Sequence, residues 1–194
     1  VSSDNSQTSL AKSGDTVSLS FSASETLGSL PVVTIAGESA SVSNTSGNDY
    51  VATVVLSGDE TEGATSFTID FSDASGNAGA QVTATTDSSL VTIDLTAPIV
   101  TLASPSTSLE ADPETLGTDG YVDSLIDAFT VSDNFDANPE MFVVVPTDFL
   151  QTLGSFNVSY QAKDLAGNLS TAINQTFLLQ DTTAPIITLN GEAT

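Results

Sequence analysis

Apolar residues recur at every second position in four separated runs: Val17-Leu19-Phe21-Ala23, Tyr50-Ala52-Val54-Leu56, Phe67-Ile69-Phe71 and Phe156-Val158-Tyr160-Ala162. A strand turns successive side chains to opposite faces, so a period of two marks β-strands buried on one side. The runs are rich in Val, Thr, Ile and Phe, which suit a pleated, half-buried surface. Clusters such as Thr45-Ser46-Gly47-Asn48-Asp49 and Ser57-Gly58-Asp59 punctuate them as turns. No window of helical length carries a 3.6-residue period. The least patterned stretch, Glu110 to Leu125, is polar and admits at most a turn of helix. The pattern predicts an all-β chain.

Internal repetition sets the domain count. Asp94-Leu95-Thr96-Ala97-Pro98-Ile99-Val100-Thr101-Leu102 returns as Asp181-Thr182-Thr183-Ala184-Pro185-Ile186-Ile187-Thr188-Leu189, and Asp73-Ala74-Ser75-Gly76-Asn77 returns as Asp164-Leu165-Ala166-Gly167-Asn168. A unit of roughly 90 residues with about seven short strands has the size of an Ig-like β-sandwich. The expected fold is two tandem Ig-like β-sandwich domains, residues 1–96 and 97–183, with 184–194 opening a truncated third repeat. Both joints carry Ala-Pro. Proline fixes its own φ and pushes the preceding residue into extended space, so the joints should be short and stiff.

Composition narrows the chemistry. The 194 residues include 25 acidic side chains against two basic ones, Lys12 and Lys163, for a formal net charge of -23. Two lysines cannot form the cationic patch that nucleic acid or an anionic membrane surface requires. With no Cys or His there is no thiol nucleophile, imidazole base, disulfide or ordinary zinc site. No apolar run reaches the roughly 18 residues of a membrane span, and no signal-like segment opens the chain. An enzyme would have to work with carboxylates alone, in a pocket that raises the pKa of one of them. The acidic residues fall instead in loops, and no enzyme is expected.

Two stretches resemble known modules. Leu10-Ala11-Lys12-Ser13-Gly14-Asp15-Thr16-Val17-Ser18-Leu19-Ser20-Phe21 with Ala23-Ser24-Glu25 resembles the opening of bacterial Ig-like repeats found in very large surface and secreted proteins. Val131-Ser132-Asp133-Asn134 and Tyr160-Gln161-Ala162-Lys163-Asp164-Leu165-Ala166-Gly167-Asn168 resemble the hyalin-repeat group of Ig-like modules, and the Asp-Thr-Thr-Ala-Pro joint is typical of both. The resemblance implies an extracellular or bacterial cell-surface location and an adhesin-like stalk or accessory module serving cell adhesion. It also implies that such modules are often stiffened by calcium.

An Ig-like topology gathers the incoming linker, the B–C loop and the F–G loop at one pole. For the second domain these supply Asp94, then Asp133, Asn134 and Asp136, then Asp164 and Asn168. The E–F loop of the first domain brings Asp59, Glu60 and Glu62 to the facing pole. Carboxylate and amide oxygens from separate loops suit Ca²⁺, which takes six to eight oxygens at about 2.3 to 2.6 Å in flexible geometry, better than Mg²⁺ with its tight octahedron. Asp and Asn are also ordinary turn residues, and the Asp164 to Asn168 segment reads equally well as a tight hairpin. A second cluster is predicted at the outer pole of the first domain from Glu25, Asp70, Asp73 and Asn77. Asp181 with Asp148 would begin an equivalent site toward the next repeat.

Two functional readings follow. The first is a non-catalytic spacer whose joints are rigidified by Ca²⁺ and whose partners are neighbouring repeats of the same chain. A cell-surface or polysaccharide ligand would then be engaged through other domains. The second is a polysaccharide-binding accessory module of a secreted enzyme. Phe135, Phe142 and Phe149 lie off the alternating pattern and could line a sugar surface, although such platforms favour Trp, which is absent. The high like-charge favours a monomer.

Overall fold

The computed structural model describes residues 1–102, 107–111, 125, 129–147 and 152–188. Its strands fall into two compact units. The first comprises residues 1–97 together with 133–137 and 164–168, and the second comprises 98–132, 138–163 and 169–194.

In the first unit the strands are β1 (Ser2–Ser3), β2 (Leu10–Ala11), β3 (Thr16–Ser22), β4 (Val32–Ile35), β5 (Glu38–Ser39), β6 (Ser41–Ser46), β7 (Asp49–Val55), β8 (Gly63–Ala64), β9 (Phe67–Asp70) and β10 (Thr92–Ile93). One sheet has the order β1-β3-β7-β6 and another β5-β4-β9. The antiparallel register sets Val17 opposite Val54, Leu19 opposite Ala52 and Phe21 opposite Tyr50. Period-two alternation therefore puts both apolar sets on the same face. Val17, Leu19, Ala52, Val54 and Leu56 meet Val33, Ile35, Phe67 and Ile69 in one core, the interior of a β-sandwich.

A third, small sheet closes the unit. Strand β10 runs parallel to β2 and antiparallel to β8. Val91 and Ile93 send their side chains into the core, and the Asp94 N–H continues the ladder onto the Ala11 carbonyl at 2.9 Å. A core strand thus fixes the backbone of Asp94.

The second unit contains β11 (Ile99–Leu102), β12 (Ser108–Glu110), β13 (Phe129–Ser132), β14 (Glu140–Val144), β15 (Gly154–Lys163) and β16 (Ile173–Gln180). Strands β11 and β13 pair, and the other four form a sheet in the order β12-β16-β15-β14. Val100 and Phe129 of the smaller sheet pack with Val158, Tyr160, Ala162 and Phe177 of the larger. The Phe129 and Tyr160 rings stack with centroids 3.4 Å apart. Each of the four alternating runs therefore supplies a strand, as the period predicts. Most of the unpatterned stretch after Glu110 lies outside the described residues.

Candidate metal site

Three chain segments of the first unit converge on Asp94. It follows β10 directly and is only 2% exposed. Asp133 follows the last residue of β13 and folds its own loop: one carboxylate oxygen accepts the N–H groups of Phe135 at 3.0 Å and Asp136 at 2.9 Å. Asp164 follows β15 and closes a five-residue turn. Its N–H donates to the Asn168 carbonyl, and its two carboxylate oxygens accept the Asn168 backbone and side-chain N–H groups, both at 2.8 Å. Gly167, at φ 91°, takes the left-handed step this turn requires.

One carboxylate oxygen from each of Asp94, Asp133 and Asp164 lies within 4.8 Å of the other two. Oxygens around one Ca²⁺ at 2.3 to 2.6 Å can be at most about 5 Å apart, so the spacing fits a shared ion. The second oxygen of Asp133, Oδ1, is buried and has no hydrogen-bond partner among the described residues. An ionised oxygen taken from water normally finds a donor or a cation. The electrostatics agree. Burial first, then the charges of Asp164 and Asp133, push the Asp94 pKa up to about 6. Unit charges about 4 Å apart repel by ~1 kcal/mol even at the dielectric of water, and a divalent cation would reverse the sign of that interaction. Among the described residues the acidic trio has no ion pair; the one salt bridge joins Lys163 to Glu140 at 3.0 Å.

Four of the other expected residues, Glu62, Asn134, Asp136 and Asn168, form a frame around the trio. Glu62 accepts the Leu95 N–H at 2.8 Å and the Thr96 hydroxyl at 2.7 Å, and its second oxygen accepts the Asn134 side-chain N–H at 2.9 Å. Asp136 accepts the Leu165 N–H at 3.0 Å. The Asn168 amide also donates to the Asp94 carbonyl at 2.9 Å. Asp59 and Glu60 are not among the clustered carboxylates. Burial would raise the Glu60 pKa, but the carboxylate folds back to accept the N–H groups of Ser57 and Gly58, and these bonds together hold it below the usual value.

The structure does not gather the second predicted cluster. Asp70 is engaged by the Gln81 amide, and Asp73 closes its own turn with Asn77; with Glu25 they form no metal-sized group among the described residues. At the second joint Glu110 repeats the role of Glu62, accepting the Thr182 N–H at 2.6 Å and the Thr183 hydroxyl at 2.9 Å beside Asp181. Asp148 and Phe149 lie outside the described residues. Phe142 sits beneath the Lys163 ammonium, 5.2 Å from ring centroid to nitrogen, while Phe135 is exposed.

Sequence reasoning missed Asn5. This buried side chain donates to the Asp15 carboxylate at 2.7 Å and to the Ala166 carbonyl at 2.8 Å, across 161 residues of chain. No local pattern marks such a partner.

No family model and no curated protein matches the chain. Among solved structures it is similar to the fibronectin(III)-like modules of Clostridium thermocellum CbhA, at 12% identity over 94% of each chain with a TM-score of 0.39. It is also similar to the SrpA adhesin of Streptococcus sanguinis, at 12% identity over 89% of each chain with a TM-score of 0.34. A Bacteroides ovatus glucan-utilization protein, SGBP-B in complex with a mixed-linkage heptasaccharide, matches at 12% identity over 93% of this chain and 46% of its own, with a TM-score of 0.29.

Proposed function

We propose that this chain is a non-catalytic extender of a large bacterial surface or secreted protein, and that Ca²⁺ at Asp94, Asp133 and Asp164 holds its loops in place. The observation that carries the reading is the acidic trio itself: three carboxylate oxygens within 4.8 Å, two of the residues almost fully buried, with an unpartnered oxygen on the third. Charge of one sign concentrated where water is scarce is costly unless a cation joins it. The Asp-x-Thr-Ala-Pro joint and the Ig-like opening motif support the tandem, surface-exposed context by their resemblance to bacterial repeats.

Bound Ca²⁺ would tie the 133–137 and 164–168 segments to the end of β10. Its role is mechanical, converting a chain held by hydrogen bonds into one clamped by metal–oxygen bonds. Melting curves and solution scattering of the 194-residue chain in millimolar Ca²⁺ and in EDTA test the reading. A higher Tm and a better-defined maximum dimension with Ca²⁺ are expected. Identical curves in the two buffers overturn it.

A further inference from the structure

We infer that Asn5 is a positioning residue for the acidic trio, acting through the Ala166 carbonyl to hold the 164–168 turn in place whether or not metal is bound. The inference rests on the calcium reading for its functional meaning, but its structural content stands alone.

Asn5 is 8% exposed and uses its whole hydrogen-bonding capacity. Its amide nitrogen donates to Asp15 Oδ2 at 2.7 Å and to the Ala166 carbonyl at 2.8 Å, while its oxygen accepts the Gln7 N–H at 2.9 Å and the Ser6 hydroxyl at 3.3 Å. The orientation of the amide is forced. Gln7 N–H can only donate, and the Asp15 carboxylate and Ala166 carbonyl accept. Asp15 is itself pinned by the Lys12 N–H at 2.8 Å, so the donor that reaches Ala166 is held from both sides.

The turn it grips is buried at its tip, with Ala166 at 1% exposure. A Cβ placed at Gly167 would lie 3.4 Å from the Lys12 side chain, so the chain packs closely against the β2–β3 connection. Asp164 sits two residues before the gripped carbonyl. Asn168 secures the other end through the Asp94 carbonyl. Together the two asparagines fix where Asp164 presents its carboxylate. Without Asn5 the Ala166 carbonyl would be buried and unpaired, which favours release of the turn into water.

Hydrogen exchange on the full chain, with Asn5→Ala and Asn5→Asp, tests this in EDTA. Protection of the Leu165, Gly167 and Asn168 amides should fall tenfold or more. The 73–77 turn and core amides such as those of Val17 and Val54 should be unchanged. Asn5→Asp should do more harm than Asn5→Ala, because it sets an acceptor against the Ala166 carbonyl and a charge against Asp15; a space-filling role would give the opposite order. If Asn5→Asp lowers protection throughout the unit, Asn5→Ala carries the comparison. Unchanged exchange at 164–168 overturns the inference. Calorimetry with Ca²⁺ separates it from the function reading. A wild-type chain that binds no Ca²⁺ while the variants loosen the turn leaves Asn5 a positioning residue and overturns the metal. A chain that binds Ca²⁺ equally tightly with and without Asn5 overturns its role at the site.

Discussion

The turns 73–77 and 164–168 are closed in the same way and set in opposite surroundings. In each, the leading aspartate accepts the backbone and side-chain N–H groups of an asparagine four residues on, and a glycine at φ 88° or 91° makes the left-handed step. From there they diverge. Residues 74 to 77 are exposed, and the Asn77 amide donates to its own aspartate at 2.6 Å. In the other turn Asp164 and Ala166 are buried, and Asn5, Asn168 and Asp136 anchor it at three points. The pentapeptide is a self-sufficient hairpin closure. It contributes to an acidic cluster only where two further carboxylates and a set of anchors await it.

Substituting the two aspartates separates these roles most sharply. Asp164→Ala should weaken Ca²⁺ binding by on the order of 100-fold, the upper range seen when even outer partners of a metal are lost, whereas Asp73→Ala should leave affinity unchanged. Isothermal calorimetry reads both; equal losses would dissolve the distinction.

The asparagines come next. Asn168→Ala leaves the backbone closure of the turn but removes the side-chain bond to Asp164 and strips the Asp94 carbonyl of a donor, so it should cost about 2 to 3 kcal/mol in urea unfolding, against about 1 for Asn77→Ala. Equal costs would show that the bond to Asp94 contributes nothing.

A pH series extends the comparison. Between pH 4 and 6 the folded chain keeps a proton on Asp94 that the unfolded chain has released, so in EDTA stability should fall as pH rises through that window. Asp73 behaves oppositely. The Asn77 hydrogen bonds hold its pKa below the usual value, so the stability it contributes is lost on acidification below about pH 4. Melting curves from pH 3 to 7 should therefore peak between these windows in EDTA. Saturating Ca²⁺ should flatten the upper limb, because metal replaces the proton on Asp94. A Tm that rises from pH 4 to 6 in EDTA would contradict the assigned environment of Asp94.

The smallest effect is at the glycines. Gly76→Ala and Gly167→Ala both force a Cβ into left-handed backbone, each at about 1 kcal/mol. Gly167 faces only the flexible Lys12 stem at an ordinary contact distance, and Gly76 faces open space, so denaturant midpoints should shift alike. A much larger shift for Gly167→Ala would mean the docked turn tolerates no adjustment.

Much of the fold was legible because burial imposes a period. Val17, Leu19, Ala52 and Val54 announce inward faces by spacing alone, and the register of β3 on β7 then brings those faces together. The site was legible in part. Asp94, Asp133 and Asp164 stood among nine candidates at two facing poles, and the chain order of an Ig-like topology was enough to nominate them. It could not separate them from Glu62, Asn134, Asp136 and Asn168, whose side chains hydrogen-bond within the frame, or from Glu60, which turns back on its own loop. Nor could it tell the Asp73 turn from the Asp164 turn, because a hairpin closure looks identical whether it is solvated or buried.

By itself the sequence determined the strand periodicity, the repeated joint and the excess of carboxylates, because these are properties of neighbours along the chain. Only the tertiary structure decided which carboxylates share a cation-sized space and that Asn5 reaches Ala166. Those outcomes depend on distances between residues far apart in sequence, set by sheet packing that no local pattern encodes.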